Sequence, residues 1–218
     1  MYQPPHFRED RLEVQHGLIR SHPLGLLITA GPGGLQANPI PFLVYGDHTP
    51  HGTLRAHMAR GNPQWHELAA LQESASQECL VVFQGPQQYI TPSWYPTKHE
   101  HGKAVPTWNY VTVHAWGAPQ VIEDLGWLRR QLEDLTNLKE GVRPQPWRVD
   151  DAPEQYLASQ MKGIIGIEIP IARIEGKWKV SQNRPEVDRA GVVAGLRDGG
   201  EQTAVMATLV AERGKLAN

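Results

Sequence analysis

Apolar and polar side chains alternate along several short stretches of the chain, which is the pattern of β-strands with one buried face. Residues 53–58 carry this alternation, and residues 107–117 carry it over a longer run. Residues 24–29 and 79–83 are apolar almost throughout, which predicts two buried strands. The pattern therefore predicts a β-sheet framework.

Turn residues predict how the first strands are connected. Gly31–Gly34 follows the first apolar strand and predicts a hairpin whose second arm covers residues 35–45. Pro39 and Pro41 lie in that arm and cannot donate hydrogen bonds to a neighbouring strand. We therefore expect this arm to lie at an edge of its sheet.

Alternating isoleucines over residues 165–171 predict a further strand, which continues into a second hairpin through a turn at Glu175 and Gly176. Helical spacing of apolar residues predicts helices after Asn62-Pro63 and over residues 125–138, 154–162, 185–197 and 202–213. The expected fold is a single α+β domain over residues 1–218, mainly β, with a largely antiparallel sheet or barrel and a C-terminal helical extension from about residue 185.

The composition is that of an ordinary globular chain, with 40% hydrophobic residues, 20% charged residues and a net charge of −2 among 218 residues. A dedicated DNA-binding domain usually carries a clustered basic excess, and none is visible here. Cys79 is the single cysteine, which excludes an internal disulfide. The sequence shows no signal-like or membrane-spanning stretch, so we expect a cytoplasmic protein without a membrane partner.

Common catalytic motifs are missing: the sequence has no GxGxxG after a strand, no P-loop, no HExxH and no GxSxG. His99 and His101 could offer two imidazoles to a metal ion, but no third ligand is placed beside them. We interpret that stretch as a solvated loop and predict no metal site.

The first candidate for chemistry is the junction at residues 57–63, where a strand end meets a helix start. It would place His57 and Arg60 beside the backbone amides of a helix that Asn62 caps. A phosphate group fits such a place, because Arg60 and the positive end of the helix would meet its charge. An exposed arginine beside an N-cap is also typical of any strand-to-helix junction, so both interpretations stay open.

Two further clusters combine polar and aromatic side chains. Residues 90–96 and 105–110 are rich in rings, and a flat heterocycle could stack there while Thr107 and Asn109 bond to its edge. The same rings could instead fill a barrel core or a subunit interface. Ser181–Arg184 places four polar residues before Pro185, more than one helix cap requires, although capping is the alternative.

The strings that carry a resemblance lie at and around these clusters: ANPIPF at residues 37–42, HMARGNPQW at 57–65, ITPSWYP at 90–96, VPTWNY at 105–110 and KVSQNR at 179–184. In this order they resemble the PaiB family of FMN-binding negative transcriptional regulators, over nearly the whole chain. The resemblance implies a split β-barrel of the pyridoxamine-phosphate-oxidase-like type with peripheral helices. It also implies a homodimer that binds FMN in clefts at the subunit interface.

The resemblance further implies which residues contact FMN. His57, Arg60 and Asn62 would hold the phosphate, with Lys98 as a second cation. The contacts to the ring or the ribityl chain would come from Asn38, Ile40, Thr107, Trp108, Asn109, Ser181, Gln182, Asn183 and Arg184.

Members of that family are described as repressors that affect protease production and sporulation, which implies a regulatory dimer that acts on transcription. No helix-turn-helix is visible, because the helix over residues 185–197 carries Gly191, Gly195 and few cations. DNA would then be bound through a surface patch of the dimer, or the protein would act through a protein partner.

An FMN-dependent oxidoreductase that acts on a small aromatic or nicotinamide-like substrate is the alternative function. The flavin would then carry out the electron transfer, so no catalytic residue needs to be visible in the sequence. His57, Tyr110 and His114 are the candidate proton donors, and each also fits a structural role. A third interpretation is a cleft that holds another ligand, such as heme, or none.

Overall fold

The computed structural model describes residues 1–46, 49–74 and 78–214. Over these residues the strands are β1 (Arg8–Glu9), β2 (Leu24–Gly31), β3 (Gly34–Pro41), β4 (Leu43–Tyr45), β5 (Thr53–Ala59), β6 (Cys79–Ile90), β7 (Thr107–Gly117), β8 (Gln120–Ile122), β9 (Ile164–Pro170) and β10 (Arg173–Lys179). The α-helices are α1 (Leu12–Ser21), α2 (Gln64–Ser74), α3 (Lys98–His101), α4 (Leu125–Glu140), α5 (Glu154–Lys162), α6 (Glu186–Asp198) and α7 (Glu201–Gly214).

The chain forms two compact units. The first unit comprises residues 1–11, 84–113 and 175–214, and the second comprises residues 12–83 and 114–174. Strands β6, β7 and β10 each begin in one unit and end in the other. The single domain over the whole chain stays a prediction.

The second unit contains a four-stranded antiparallel sheet in the order β4-β5-β9-β8. Strand β5 pairs with β9 along its whole length, from Thr53 opposite Pro170 to Ala59 opposite Ile164. The predicted alternation in β5 is confirmed, because its apolar side chains are buried while Arg55 is only partly so. Helix α4 contacts the polar face of β5 and β9.

The predicted first hairpin is confirmed, with β2 paired to β3 from Leu24 opposite Pro41 to Gly31 opposite Gly34. Strand β3 lies at the edge of its sheet, as its prolines predicted. The second arm is shorter than expected, however. It breaks at the buried Phe42, whose backbone N–H bonds to Pro23, and the chain continues as β4 beside β5.

The predicted second hairpin is wrong. Strand β9 pairs with β5 and β8, and the chain leaves it at Ile171 and Ala172. Glu175 and Gly176 lie inside β10, where Gly176 stands opposite Glu9 of β1. A glycine in a strand permits a close approach of another backbone and does not require a turn.

Helix α1 was not predicted from the sequence. Gln15 and His16 occupy buried positions on it and interrupt the apolar stripe that would have indicated a helix. The His16 ring reaches the backbone oxygen of His51 at 2.9 Å, so a buried polar side chain is satisfied there.

The C-terminal helices form as predicted, on both sides of Gly199-Gly200, and they pack on each other in the first unit. Gly191 and Gly195 let α6 approach Trp94, because a Cβ at either position would overlap that residue. Asp188 is buried on the same helix and accepts hydrogen bonds from the backbone and side chain of Thr97. Helix α6 is therefore a packing helix.

Within the described part of the chain, no helix combines the length and the apolar content that crossing a lipid bilayer requires.

Candidate functional site

The junction between β5 and α2 is held in place from three sides. The backbone N–H of Arg60 donates to the carbonyl of Gly163 at 2.9 Å, and the indole N–H of Trp65 donates to the carbonyl of Arg60 at 3.0 Å. Asn62 acts as the predicted helix cap, since its Oδ1 accepts the backbone N–H of Gln64 at 3.1 Å. The helix start is therefore fixed beside Arg60.

The guanidinium of Arg60 is engaged at the surface. Its Nη2 lies 2.7 Å from Oε2 of Glu123, and both side chains are partly exposed to solvent. Such surface ion pairs contribute only about 0–1 kcal/mol. A phosphate, which carries more charge than one carboxylate, can replace Glu123 as the partner of Arg60.

His57 faces a different neighbour. Its Nδ1 lies 2.7 Å from Oε1 of the buried Gln131 on α4, and His57 itself is partly buried. In this position the imidazole joins α4 to β5. Its predicted contact with phosphate stays a prediction.

A chain of side-chain amides runs from β3 to the first residue of α2. Asn38 donates from Nδ2 to Oε1 of Gln64 at 2.9 Å. Gln64 is fully buried, and its Nε2 donates to the carbonyl of Leu27 and to Oγ1 of Thr29, each at 3.1 Å. Because the Asn38 N–H group points to Gln64, its carbonyl oxygen remains available to a donor from a ligand.

The same network ends at a carboxylate. Glu67 of α2 accepts hydrogen bonds from the Thr29 hydroxyl and, at 2.5 Å, from Nε2 of Gln36. Gln64, Thr29, Gln36 and Glu67 were not predicted from the sequence. Two of them gave a signal: Gln36 alternates with Asn38 along β3, and Thr29 is a polar residue inside an apolar strand.

Ile40, another predicted contact, is 7% exposed and belongs to the core of the second unit. The remaining predicted residues lie in the first unit. Thr107 accepts a hydrogen bond from Lys179 Nζ at 2.7 Å, and Lys179 also donates to the backbone oxygen of Trp108. The Trp108 ring is about half exposed and packs edge-on against Tyr89.

Asn109 and Ser181 are buried and bonded to each other. Asn109 Nδ2 donates to Ser181 Oγ at 2.9 Å, and the Ser181 hydroxyl lies 3.3 Å from Asn109 Oδ1. Ser181 has a φ of 67°, a left-handed conformation that is costly for a residue with a side chain. This pair holds the end of β10 in its turn.

The other predicted contacts vary in exposure. Gln182 bonds through its side chain to the backbone of Val180 and Trp178, Asn183 is exposed, and Arg184 stacks 4.7 Å from the centre of the Tyr95 ring. Lys98 is exposed on α3, and its ammonium forms no hydrogen bond or ion pair with the residues that the structure describes. Their contacts with FMN stay predictions.

One face of the β2–β3 hairpin is apolar. Helix α2 bonds to Thr29, Gln36 and Asn38, and the opposite face carries the alternate side chains. Register places the following apolar residues together on it, and we call this set the hairpin face: Leu24, Leu26, Ile28, Ala30, Leu35, Ala37, Pro39 and Pro41, with Leu80 and Val82 of β6. Leu24 is 62% and Leu35 79% exposed, so the described residues cover little of this face.

Residues 1–173 match a sequence family described as "Putative FMN-binding domain". An uncharacterized protein of Emericella nidulans is 37% identical over 247 residues, covering 99% of this chain and 98% of the relative. A Bacillus subtilis protein called protease synthase and sporulation protein PAI 2 is 32% identical over 198 residues, covering 91% and 90%.

The fold also resembles a solved structure, the flavocytochrome Anf3 from Azotobacter vinelandii. The TM-score is 0.55 at 13% identity, with 79% of this chain and 69% of the other covered. At this identity the likeness is one of fold. It agrees with the antiparallel sheets described above, and the predicted split β-barrel is confirmed.

Proposed function

This chain belongs to the family of FMN-binding domains, and from that premise we propose that it is a homodimeric flavoprotein that acts as a negative regulator of transcription. FMN is the cofactor of this family. When bound, FMN supplies reversible electron transfer. The protein's own residues bind it, orient it and decide what reaches its ring.

The junction of β5 and α2 fits the FMN phosphate, and this is the observation that carries the proposal. The start of α2 presents backbone N–H groups and the positive end of the helix dipole, and Arg60 adds a full positive charge. Without phosphate, Arg60 forms an ion pair with Glu123, and the FMN phosphate would take the place of the Glu123 carboxylate. Asn62 and Trp65 contribute by fixing the backbone of the junction rather than by charge.

Asn38 fits a contact with the polar edge of the flavin ring. The side-chain oxygen of Gln64 accepts a hydrogen bond from the Asn38 amide N–H, so the Asn38 carbonyl oxygen is the atom left for a ligand. The imide N–H of an isoalloxazine ring is a donor that this oxygen can accept. Gln64 is therefore a positioning residue in this proposal, since it acts on the flavin through Asn38.

The hairpin face supports the homodimer. Ten apolar side chains lie on one face of three neighbouring strands, and a second copy of the same chain would remove them from water. In a twofold dimer the same patch of both copies forms the interface, so one exposed apolar face is enough to build it. We propose this face as the dimer interface.

The Bacillus relative is named for protease synthesis and sporulation, and this name is what supports the proposed regulatory role. Helix α6 packs against Trp94 through its glycines, and its first turn carries Glu186 and Asp188. This helix is therefore not proposed to read DNA. The regulator would act through a surface that only the dimer forms, or through a protein partner.

An FMN-dependent oxidoreductase is the second candidate function. The exposed ring of Trp108, packed edge-on against Tyr89, offers a stacking surface for a small aromatic substrate. Reduction of bound flavin by a nicotinamide would support this function.

The absorption spectrum of the purified protein tests the cofactor. We expect a flavin spectrum that survives gel filtration after FMN is added, at about one FMN per chain. A protein that stays colourless would overturn FMN binding. With FMN bound, rapid turnover of NADH would favour the oxidoreductase, whereas flavin-dependent binding to promoter DNA or to a transcription factor would favour the regulator.

A further inference from the structure

Strand β10 places two lysines on one face of the first unit. Lys177 and Lys179 are two residues apart, so their side chains leave the strand on the same side. Lys177 is only 6% exposed, and its ammonium lies 5.3 Å from the centres of the Tyr2 and Tyr110 rings. A buried lysine usually has an acidic partner.

No such partner is present in the described part of the chain. Lys177, Lys179 and Arg184 form no ion pair there. Glu9, on the neighbouring strand β1, is held by Arg11 and Arg213. Glu175, on β10 itself, is paired at 2.6 Å with the N-terminal ammonium.

Hydrogen-bond donors also remain unused at this place. Of its three N–H groups, Lys179 donates one to the Thr107 hydroxyl oxygen and one to the Trp108 carbonyl, so one N–H has no acceptor among the described residues. Lys177 gives one N–H to the carbonyl of Tyr2 at 2.9 Å, which leaves two. The O–H of Thr107 has no acceptor among the described residues. Four donors therefore have no acceptor in the part of the chain that is described.

The electrostatic effect is visible at Lys179. Burial lowers the pKa of its ammonium, and the positive charges of Lys177 and Arg184 lower it further. Aromatic rings face both ammonium groups, but no carboxylate among the described residues pairs with either lysine, so a bound anion would relieve the repulsion between them.

We propose that Lys177, Lys179 and the Thr107 hydroxyl form a second anion site, which binds the phosphate group of a ligand other than FMN. Two ammonium charges match a phosphate monoester, which carries about −1.5 to −2 at neutral pH, better than they match a single carboxylate. Lys179 and Thr107 contact the phosphate oxygens, and the buried Lys177 contributes its charge from behind. A phosphorylated substrate or effector of the flavoprotein is the ligand class.

The assignment to a ligand other than FMN rests on the proposed function. FMN has one phosphate, and the junction at Arg60 accounts for it. The lysine site is then left for another molecule, and the two sites can be distinguished by comparing FMN with riboflavin, which lacks the phosphate.

Calorimetric titration of the FMN-loaded protein with inorganic phosphate tests the site. We expect saturable binding that weakens by at least about tenfold in Lys179→Gln, because one charged donor is lost. Lys179→Arg, which keeps the charge, should restore most of the affinity. Lys103→Gln removes an exposed lysine of the same unit and should leave binding unchanged. Thr107→Val is a second variant, expected to weaken phosphate binding without loss of charge.

Urea unfolding of each variant identifies any that does not fold, and the proposal is then judged on the others. Absence of saturable phosphate binding, or equal binding by wild type and both site variants, would overturn it. So would a Lys179→Gln variant that loses affinity for FMN but not for riboflavin, because the lysines would then hold the flavin's own phosphate. If the wild-type protein binds no FMN, the proposed function fails, and the phosphate titration of the flavin-free protein still decides whether this anion site exists.

Discussion

Asn38 on β3 donates a hydrogen bond from its side-chain amide to the side-chain oxygen of Gln64 at the start of α2, over 2.9 Å. Gln64 is fully buried, and its side-chain amide donates hydrogen bonds to the Leu27 carbonyl and the Thr29 hydroxyl oxygen of β2. One side chain therefore connects an edge strand, its neighbour and a helix, and it fixes the orientation of the Asn38 amide.

Replacing Gln64 by methionine should affect both stability and flavin binding. The side chain keeps its length, but the Leu27 carbonyl and the Asn38 amide lose their partners, which costs about 1–3 kcal/mol of unfolding free energy. With Asn38 free to rotate, FMN affinity should fall about tenfold, equivalent to roughly 1.4 kcal/mol. Urea unfolding and flavin fluorescence quenching measure the two effects.

Gln160→Met is the matched control, because Gln160 is exposed on α5. It should change neither quantity measurably. A Gln64→Met protein that is destabilised but binds FMN normally would show that Gln64 supports the fold and does not position Asn38 for the flavin.

The second prediction concerns the ion pair of Arg60 and Glu123. Glu123→Gln removes the carboxylate that competes with phosphate for Arg60, so FMN should bind several-fold more tightly, while stability changes by less than about 1 kcal/mol. Arg60→Gln should weaken FMN by at least about tenfold. Riboflavin should bind both variants as it binds the wild type, because it has no phosphate.

Fluorescence titrations with both flavins provide the measurement. Equal losses of FMN and riboflavin affinity in Arg60→Gln would place Arg60 away from the phosphate. An unchanged FMN affinity in Glu123→Gln would show that the ion pair does not compete with the cofactor.

These two pairs also show what the sequence can and cannot provide. The helix start at Asn62 and Pro63 and the strand over residues 107–117 follow from local patterns, and the structure confirms them. The partner of Arg60 lies 63 residues further along the chain, and nothing in its local sequence indicates it. Local spacing fixes elements, whereas partners depend on how distant elements pack.

The predictions that were wrong or missing also concern contacts between distant parts of the chain. Glycine at position 176 suggested a turn, but Gly176 lies inside β10, where it pairs with Glu9 of β1. The buried polar residues Gln15 and His16 interrupt the apolar stripe of α1, and the partner of His16 lies 35 residues further along the chain, so the sequence did not indicate this helix. The sequence did not predict an anion site at the lysines of β10, since the surroundings of a buried ammonium are known only from the fold.

The third prediction tests the hairpin face as the dimer interface. Leu35 is 79% exposed, so Leu35→Asp should leave the fold intact while it places a carboxylate in the interface. Burial of an unpaired charge costs several kcal/mol, so the dimer dissociation constant should rise by about a hundredfold or more. Sedimentation velocity over a range of concentrations measures this change.

Val142→Asp serves as the control, because Val142 is 87% exposed outside the hairpin face. It should sediment as the wild type does. A Leu35→Asp protein that remains dimeric would locate the interface elsewhere, and a monomeric wild type would contradict the homodimer itself.

Cys79 gives the fourth prediction. Its thiol is buried at the start of β6, and burial raises its pKa to about 12. Because the thiolate is the reactive form, the folded protein should not react with a disulfide reagent near pH 8, while the denatured chain should release one equivalent. Rapid labelling of the folded protein would contradict this burial.

The last prediction concerns the acid stability of the first unit. Burial by itself would raise the pKa of Glu9, but hydrogen bonds from Arg11 and Arg213 outweigh it and lower the pKa from 4.5 to about 2. A carboxyl with a lowered pKa in the folded state contributes stability above its unfolded value, and the contribution is lost as the pH falls from 4.5 towards 2. Between about pH 6 and about pH 2.5, wild type should therefore lose about 2 kcal/mol more unfolding free energy than Glu9→Gln, which cannot titrate there.

Urea unfolding of both proteins across this range isolates Glu9, since all other carboxyls are common to the pair. Parallel stability curves would show that the two arginines do not stabilise the Glu9 carboxylate in the folded protein.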